Sequence, residues 1–237
     1  MSDERRPGCF AWVTWLTPIL ASDAQCLWKC WYKSHFKYAK REGPNAASLV
    51  MWRADHGDMV RARQAALEAD GWTVYVEDQN KFFIRGQQST LSGCPDLVAV
   101  RDEAAPRRVF ALTGDLAVPL TAGLIRRARV EDCKTGKRRD SDRWQVLIYM
   151  LFLRETNEAI GDRPIEGAIV YHDRIDEIAP AEASAAAKAR VVAEIRRASG
   201  LTAPPRTPSA NECQFCDIAA CPDRVTGAVT TVATEAF

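Results

Sequence analysis

The residues of this chain best suited to chemistry lie in the stretch 130–136, where an aspartate precedes a lysine by two positions. On a β-strand, residues two positions apart share a face, so Asp132 and Lys134 are predicted to point the same way. A carboxylate beside an ammonium can hold a divalent metal ion and place a nucleophilic water next to it. Taken alone, the two residues are more simply explained as a charge pair on a solvated strand face. The rest of the sequence must decide between these interpretations.

The composition is that of an ordinary globular protein, with 237 residues of which 47% are hydrophobic and 27% charged. A chain of this length can bury a sizeable core. Because the net charge is only +1, affinity for nucleic acid would have to come from a local basic cluster. One such cluster surrounds Asp132; it could contact phosphate, or form a solvated rim balanced by Asp140 and Asp142. Its members are Arg126, Arg127, Arg129, Lys134, Lys137, Arg138, Arg139 and Arg143.

The N-terminal region contains a mostly apolar run, residues 9–21, which follows Arg5 and Arg6 as in a secretory signal. Pro18, two threonines and two tryptophans interrupt the run, and no small-residue cleavage site follows it. The run is also too short to span a bilayer. We therefore expect no membrane contact and a cytoplasmic location, where the eight cysteines would be metal ligands or buried thiols.

Hydrophobic periodicity and turn signals predict an α/β fold, with a mixed sheet flanked by helices. Asp96 would open one central strand and Asp132 would lie on another, so their side chains converge if the two strands are neighbours. Gly71 is expected to cap the C-terminus of a helix. Helices are predicted over residues 22–40, 52–70, 140–155 and 181–199. Strands are predicted over residues 97–100, 108–112 and 167–171 and through Asp132, with a hairpin formed by residues 72–77 and 81–85.

Three cysteines near the C-terminus have a spacing typical of metal ligands, Cys213-x-x-Cys216-x-x-x-x-Cys221. Three ligands are too few for a closed four-ligand site, so a distant cysteine is required. Cys26 and Cys30 are the candidates. Thiolates suit an iron–sulfur cluster or zinc, and the spacing does not separate the two. The remaining cysteines are expected to be packing thiols: Cys9, Cys94 and Cys133.

Several motifs follow one another along the chain in a fixed order. They are Gly93-x-x-Asp96, Asp132-x-Lys134-Thr135-Gly136 and Gln145-x-x-x-Tyr149, with His56 on the helix before them. This order resembles the PD-(D/E)XK nuclease superfamily, specifically its RecB-like exonuclease branch, which includes the CRISPR-associated iron–sulfur exonucleases and the AddB nuclease domain. The resemblance covers nearly the whole chain.

The resemblance implies a restriction-endonuclease-like mixed central sheet flanked by helices, with N- and C-terminal segments joined by a cysteine metal cluster. Residues 1–44 would form an aromatic and basic segment, residues 45–180 the nuclease core, and residues 181–237 a C-terminal helix and cysteine-rich segment. The implied activity is metal-dependent hydrolysis of DNA phosphodiester bonds by an exonuclease acting on single-stranded DNA or DNA ends. Repair, recombination and CRISPR or phage DNA processing are the implied settings, with protein partners in a repair or CRISPR complex. The alternative is a catalytically degenerate DNA-binding or scaffold subunit.

The metal-binding role follows from the same resemblance. Asp96, Asp132, His56 and the backbone carbonyl near Cys133 would hold Mg²⁺ or Mn²⁺, with the imidazole favouring Mn²⁺. The ions would supply a nucleophilic water and stabilise charge on the phosphate.

Three further residues receive roles in the same way. Lys134 would orient or deprotonate the attacking water, and Gln145 would contact that water or a DNA phosphate. Tyr149 would stack or hydrogen-bond near the DNA. Ordinary helix packing is the alternative explanation for Gln145 and Tyr149.

For the cysteines, the resemblance implies a 4Fe–4S cluster held by Cys30 and the three C-terminal cysteines. Lys33 and Phe36 follow Cys30 as basic and aromatic residues typically follow the first cysteine of the family, while Cys26 is the alternative ligand and zinc the alternative metal. Either metal would clamp the two chain ends together. The aromatic and basic residues 28–38 around this cysteine would also suit a single DNA strand, through base stacking and phosphate contact.

Overall fold

The computed structural model describes residues 4–41, 46–104 and 124–226. They form a five-stranded sheet, a three-stranded sheet and a two-stranded ribbon, with helices packed around them. The strands are β1 (Glu4–Arg5), β2 (Cys9–Trp12), β3 (Phe36–Lys37), β4 (Thr73–Val76), β5 (Phe82–Arg85), β6 (Ser89–Gly93), β7 (Leu97–Ala104), β8 (Leu124–Lys134), β9 (Ile165–Tyr171) and β10 (Ile175–Ile178). The helices are α1 (Val13–Leu20), α2 (Leu27–His35), α3 (Ala46–Ala69), α4 (Asp140–Phe152), α5 (Ala185–Ser199) and α6 (Ala210–Gln214).

The five-stranded sheet has the strand order β10-β9-β8-β7-β4. Strands β8 and β9 are parallel, and the other neighbours are antiparallel. The predicted α/β fold with a mixed sheet flanked by helices is therefore confirmed. In the register of β7 and β8, Leu97 lies opposite Glu131, which brings Asp96, just before β7, to the end of β8 that carries Asp132.

Two helices cover opposite faces of this sheet. Val130 on β8 belongs to the large hydrophobic core that includes α4, whereas Leu97 and Cys133 belong to a smaller core that includes α3. Successive side chains of a strand point to opposite faces, which is why one strand contributes to both cores. Gly167 on β9 allows α4 to approach closely, because a Cβ there would lie 2.7 Å from Val146 Cγ1.

The predicted hairpin of residues 72–77 and 81–85 is wrong. Strand β4 pairs with β7 in the five-stranded sheet, whereas β5 pairs with β6 in the three-stranded sheet of order β2-β6-β5. A 3-10 turn, Glu77–Asn80, connects β4 to β5, and Glu77 adopts a positive φ of 42°. Turn residues between two strand-like runs show where the chain bends, but they do not decide which strands pair.

The predicted helices are present with different bounds. The helix expected over residues 22–40 is the shorter α2, and the helix expected to end at residue 155 ends at Phe152 and continues as a 3-10 turn. The prediction for Gly71 is confirmed, since it follows α3 with a positive φ of 84°. The strand expected over residues 108–112 lies outside the described residues. Among the helices in the described ranges, none combines the length and apolar character needed to cross a bilayer.

The two ends of the described chain lie against each other. Lys40 and Ile218 form a β-bridge. The Lys33 ammonium on α2, which is buried, lies 2.6 Å from Asp217 Oδ1. The two cysteine-bearing regions are therefore neighbours in space.

Glu131 on β8 carries a fully buried carboxylate, on the α3 side of the sheet. Arg63 on α3 binds it through two hydrogen bonds, of 2.6 Å from Nε and 2.8 Å from Nη2. Arg129, two residues earlier on the same strand, also pairs with Glu131 and reaches Glu177 on β10 at 2.7 Å. A buried charge of this kind is tolerated only when it is paired and hydrogen-bonded, so the network fixes α3 on the sheet.

Replacing Glu131 with glutamine should destabilise the protein strongly, because the Arg63 guanidinium would lose its carboxylate and the buried Arg129 would keep only its contacts with Glu177 and Glu166. We expect the free energy of unfolding to fall by about 3–5 kcal/mol, as measured by urea denaturation. Glu103→Gln is the matched control, since Glu103 forms an ion pair with Arg101 on its own strand, β7, and has a side chain that is 39% exposed. Its loss should change stability by at most about 1 kcal/mol, and equal effects of the two substitutions would contradict a structural role for the buried network.

Candidate active site

Two aspartates and a lysine meet at one end of the five-stranded sheet. Asp96 Oδ2 accepts a hydrogen bond of 2.7 Å from the backbone N–H of Cys133, which fixes the end of β7 against β8. Lys134 Nζ lies 2.6 Å from Asp132 Oδ2, and the two residues share the α4 face of β8, as their spacing predicts. The structure therefore brings together the three side chains that the sequence places on different elements.

Gln145 on α4 links the last two of these residues. Its Nε2 donates to Asp132 Oδ1 at 2.8 Å, and its Oε1 accepts from Lys134 Nζ at 2.9 Å. Gln145 Nε2 also donates to the hydroxyl of Tyr149, one helical turn later, at 3.0 Å. The amide thus contacts both charged groups and holds them in a fixed relation.

Tyr149 holds the Gln145 side chain in place from within the protein core and does not face the solvent. Its side chain is buried, with 2% exposure, and its ring packs edge-to-face on Phe82. A Cβ at Gly93 would lie 2.7 Å from the ring, so glycine is required there. The expected stacking of Tyr149 on DNA does not fit this position, because the ring is covered by protein. Its hydroxyl instead orients Gln145.

His56 lies on α3, at the other side of Asp96. Its Nε2 is 3.4 Å from Asp96 Oδ1, and the indole of Trp52, one turn earlier, stacks on the imidazole with ring centroids 5.3 Å apart. His56 and Arg63 are seven residues apart, so they share one face of the helix. The contact of Arg63 with Glu131 therefore also sets the position of His56.

A cleft of about 410 Å³ lies between these elements, a size that suits a small ligand or a single nucleotide. It is lined by His56, Asp96, Asp132, Lys134, Gln145 and Tyr149. Trp12 at the end of β2 and Trp52 on α3 also line it, together with the charged groups and Gln145. The sequence offers no local signal for the two tryptophans, because β2 and α3 meet Asp132 only through the tertiary fold.

Burial and charge oppose each other at the ionisable groups of the site, and the pKa values of Asp132, Lys134 and His56 are all raised. Burial raises the pKa of Asp132 to about 6, although the charge of Lys134 opposes the shift. Burial, the largest single influence, would lower the pKa of Lys134. The charge and hydrogen bond of Asp132, together with the charges of Asp142 and Asp96, outweigh it, and the pKa of Lys134 is raised. Contact with Asp96 raises the pKa of His56, against the effect of burial. Lys134 is therefore a cation near neutral pH and a poor proton acceptor.

The donor set suits a divalent cation in its chemistry. Carboxylates and imidazole are the ligands that Mg²⁺ and Mn²⁺ accept in proteins. Asp132 Oδ2, although close to Lys134 Nζ, is a buried oxygen with no well-oriented hydrogen bond from any described residue. In the described ranges, no group of three or more His, Cys, Asp or Glu side chains surrounds a common point closely enough to hold a metal. His56 is paired with Asp96, and Asp132 with Lys134, so metal binding requires these pairs to open.

The candidate cluster cysteines occupy two neighbouring regions. Cys213 is buried, Cys216 and Cys221 are half-buried, and the guanidinium of Arg224 donates to the backbone carbonyl of Cys213 at 2.6 Å. The backbone N–H of Cys26, at the start of α2, donates to Glu212 Oε1 at 3.2 Å, beside Cys213. These contacts place the residue that precedes α2 against α6.

Cys30 has a different environment from Cys26. Its thiol is buried in the large core and donates to the carbonyl oxygen of Trp15 at 2.8 Å, and burial raises its pKa to about 12. Cys26 is half-buried and lies just before the first residue of α2. Cys133 packs in the small core as expected of a packing thiol.

The aromatic and basic residues 28–38 pack largely against one another. Trp28 stacks on Tyr32 at 4.6 Å and Tyr32 on Phe36 at 4.9 Å, while Lys33 is buried against Asp217. This segment is therefore occupied by internal contacts, which does not fit its expected role in binding a single strand.

The basic cluster around β8 is also largely paired. Arg127 binds Glu166 at 2.7 Å and Arg138 binds Asp176 at 3.0 Å, while Arg129 lies in the buried network. The acidic partners lie on β9 and β10, where the sequence could not place them. These arginines balance acidic groups, as in the charged-rim interpretation, although the partners are not Asp140 and Asp142.

Comparison with solved structures gives a distant likeness. No protein-family model matches the chain, and no curated protein matches it. A solved structure described as the crystal structure of SSO0001 is similar, with a TM-score of 0.49 and 17% sequence identity over 93% of this chain and 89% of that one.

The buried charge of Asp132 should reduce stability above pH 6. The unfolded chain releases this proton near the ordinary pKa of 3.8, whereas the folded protein keeps it up to about pH 6, so stability falls as the pH rises through this window. We expect the stability of the wild type relative to Asp132→Asn to fall by about 1–3 kcal/mol between about pH 4 and pH 7, because only the wild type titrates at this position. The absolute stability of the variant also includes the cost of leaving the Lys134 ammonium without its carboxylate. Urea denaturation across this pH range measures the difference. The exposed Asp162→Asn should show no such pH dependence, and a difference between wild type and Asp132→Asn that stays constant over this range would contradict the electrostatic assignment.

Proposed function

We propose that this chain is a metal-dependent DNA nuclease of the PD-(D/E)XK type, with a restriction-endonuclease-like core, that hydrolyses phosphodiester bonds. The observation that carries the proposal is the direct contact of Asp132, Lys134 and Gln145 beside Asp96, at one end of a mixed sheet. A solvated charge pair, the simpler interpretation of the motif, does not fit an Asp132 that is only 2% exposed.

Asp96, Asp132 and His56 are the residues that would hold Mg²⁺ or Mn²⁺. The ion supplies a Lewis acid for the phosphate and a water of lowered pKa. The half-buried imidazole of His56 is kept in place by Trp52 and Asp96. Asp132 must be ionised to act as a ligand, which favours activity above the pKa of about 6 that burial gives it.

The other polar residues act on the water and the phosphate. Lys134, a cation held by Asp132, would donate hydrogen bonds to the attacking water and to the phosphate oxygens, where negative charge develops. General-base action by Lys134 is disfavoured, because its pKa is raised. Gln145 holds Lys134 and Asp132 in a fixed relation, and Tyr149 holds Gln145. A single strand or a DNA end suits the cleft, because Trp12 and Trp52 line it beside the charged groups.

The nuclease proposal predicts specific losses of activity. With labelled single-stranded DNA and Mn²⁺, Asp96→Asn, Asp132→Asn and Lys134→Ala should each reduce the cleavage rate by about 100-fold or more. Gln145→Ala should reduce it by about 10- to 100-fold, as expected when a supporting residue is removed. Labels at the two ends of the strand separate exonuclease from endonuclease cleavage.

Asp162→Asn and Lys188→Ala are the controls for this assay, since both residues are exposed and lie outside the cleft. Both variants should cleave at the wild-type rate. Equal cleavage by all variants would show a contaminating nuclease. A wild-type protein that binds DNA but cleaves none with either ion would favour the degenerate DNA-binding subunit.

We also propose that the cysteines of the two chain ends hold a 4Fe–4S cluster. The support is the packing of the segment after α2 on the segment after α6, through the Lys40–Ile218 bridge and the ion pair of Lys33 with Asp217. Of the two candidate ligands on this side, Cys26 fits better than Cys30, because it adjoins α6 while the Cys30 thiol is committed to the core.

The cluster proposal predicts a brown protein with about four iron atoms per chain after anaerobic purification. Cys26→Ser and Cys213→Ser should lose the iron and the visible absorbance, whereas Cys30→Ser and Cys9→Ser should retain both. A colourless wild-type protein with about one zinc ion would establish the zinc alternative. Loss of iron in Cys30→Ser alone would reverse the assignment within α2.

A further inference from the structure

We infer that the outward face of the three-stranded sheet is a stacking surface for single-stranded nucleic acid that leads into the candidate active site. The inference rests on the proposed function for its link to cleavage, but the surface itself is defined by geometry. It consists of Phe10 and Trp12 on β2, Phe83 on β5, and Lys81 just before β5, and we call it the aromatic surface.

Strand register places these side chains on one face. In the β2-β6-β5 sheet, Trp12 and Phe83 both lie opposite Ser92 of the central strand β6, so the three form one row across the sheet. Phe10 is two residues before Trp12 and shares its face, with ring centroids 5.6 Å apart. Phe10 also contacts Phe83 at 6.4 Å. The rings therefore form a continuous group that covers Ser92.

The opposite face of this sheet is buried and explains why the aromatic surface must point outward. Ala11, Phe82 and Leu91 belong to the large hydrophobic core. Successive side chains of a strand point to opposite faces. Phe10, Trp12 and Phe83 are the chain neighbours of these core residues, so their rings face away from the core. Phe83, on the edge strand β5, is 52% exposed and joins Phe10 and Trp12 in one contiguous apolar patch.

Positive charge borders the rings. Lys81 Nζ lies 6.0 Å from the Trp12 ring centroid and 5.6 Å from that of Phe83, and the guanidinium of Arg6 lies 6.0 Å from the Phe10 ring. The rings are inclined to one another, Phe10 at 74° to Trp12 and at 46° to Phe83. Such a group of aromatic rings with cations beside it suits a flexible unpaired strand, whose bases stack on single rings while its phosphates meet the cations. A duplex hides its base faces, so it cannot use such a surface in the same way.

The aromatic surface adjoins the cleft. Trp12 belongs to both, since it also lines the cleft with Asp96, Asp132 and Lys134. Trp52, 50% exposed, stands at the α3 side of the cleft. A strand whose bases lie on Phe83 and Trp12 would therefore bring its next phosphate toward the metal-binding residues.

The test measures binding apart from cleavage. Fluorescence anisotropy of a labelled oligothymidylate, with EDTA present, reports the affinity of the whole protein. Phe83→Ala should weaken binding by about 5- to 100-fold, and Phe83→Trp should restore it, because every base stacks on an indole ring. Lys81→Ala should reduce the slope of log affinity against log salt concentration by about 0.7, as for the loss of one phosphate contact to a single strand.

Matched controls lie on other parts of the surface. Leu201→Ala removes an apolar side chain that is 88% exposed, and Lys188→Ala removes a lysine 5.2 Å from the Phe152 ring. Both variants should bind as the wild type does. With an abasic strand of equal length, Phe83→Ala should have no effect, while Lys81→Ala should still lower the salt slope.

Equal binding of the oligothymidylate by Phe83→Ala and the wild type would overturn the inference, as would a duplex bound as tightly and with the same sensitivity to Phe83→Ala. These results are separable from the failure of the proposed function. Base-dependent binding without cleavage under any divalent ion would reject the nuclease but keep the aromatic surface, whereas cleavage with unchanged binding in Phe83→Ala would do the reverse.

Discussion

The buried carboxylate of Glu131 is the constraint on which the candidate site depends. A fully desolvated charge at the centre of a sheet is costly unless opposite charges reach it, and only Arg129 and Arg63 pair with it among the described residues. Arg63 belongs to α3, so the pair holds this helix in one position across β8. His56 lies two turns earlier on the same helix face, and the same contact therefore directs it to Asp96. The position of the imidazole thus depends on an ion pair that lies outside the cleft.

Successive side chains of β8 point to opposite faces of the sheet, so the residues that hold α3 and the residues of the candidate active site lie on different faces. Arg129, Glu131 and Cys133 face α3, whereas Asp132 and Lys134 face α4. On the α4 side, the absence of a side chain at Gly167 lets the helix approach the sheet, and Gln145 reaches both charged residues. The two helices support different parts of the site. A displacement of α3 would move His56, whereas a displacement of α4 would move Gln145, because the helices pack in different hydrophobic cores.

The site keeps the carboxylate of Asp132 in a buried position that disfavours its charged form. Burial raises the pKa of Asp132, and in the absence of a cation the carboxylate relies on Lys134 for compensation. Such a carboxylate gains more from a divalent cation than an exposed one does, because less solvation remains to be lost on binding. The cleft also exposes aromatic rings that an ordinary surface would cover. Both features agree with the proposed binding of a nucleic acid strand.

The sequence by itself determined the local elements and the short-range geometry of the site. The two-residue period placed Asp132 and Lys134 on one face, and glycine at residue 71 ended a helix, because these features depend only on neighbouring backbone geometry. Strand pairing was decided by the tertiary structure. The same turn signals fit a hairpin, yet β4 and β5 belong to different sheets, because β4 finds its backbone hydrogen-bonding partner in β7 and β5 finds its partner in β6. The partners of charged side chains were decided in the same way. Glu131 showed no distinguishing feature in the sequence, and the aromatic side chains that the sequence assigned to a DNA contact packed together instead, because distant segments supply the groups that bury or expose them.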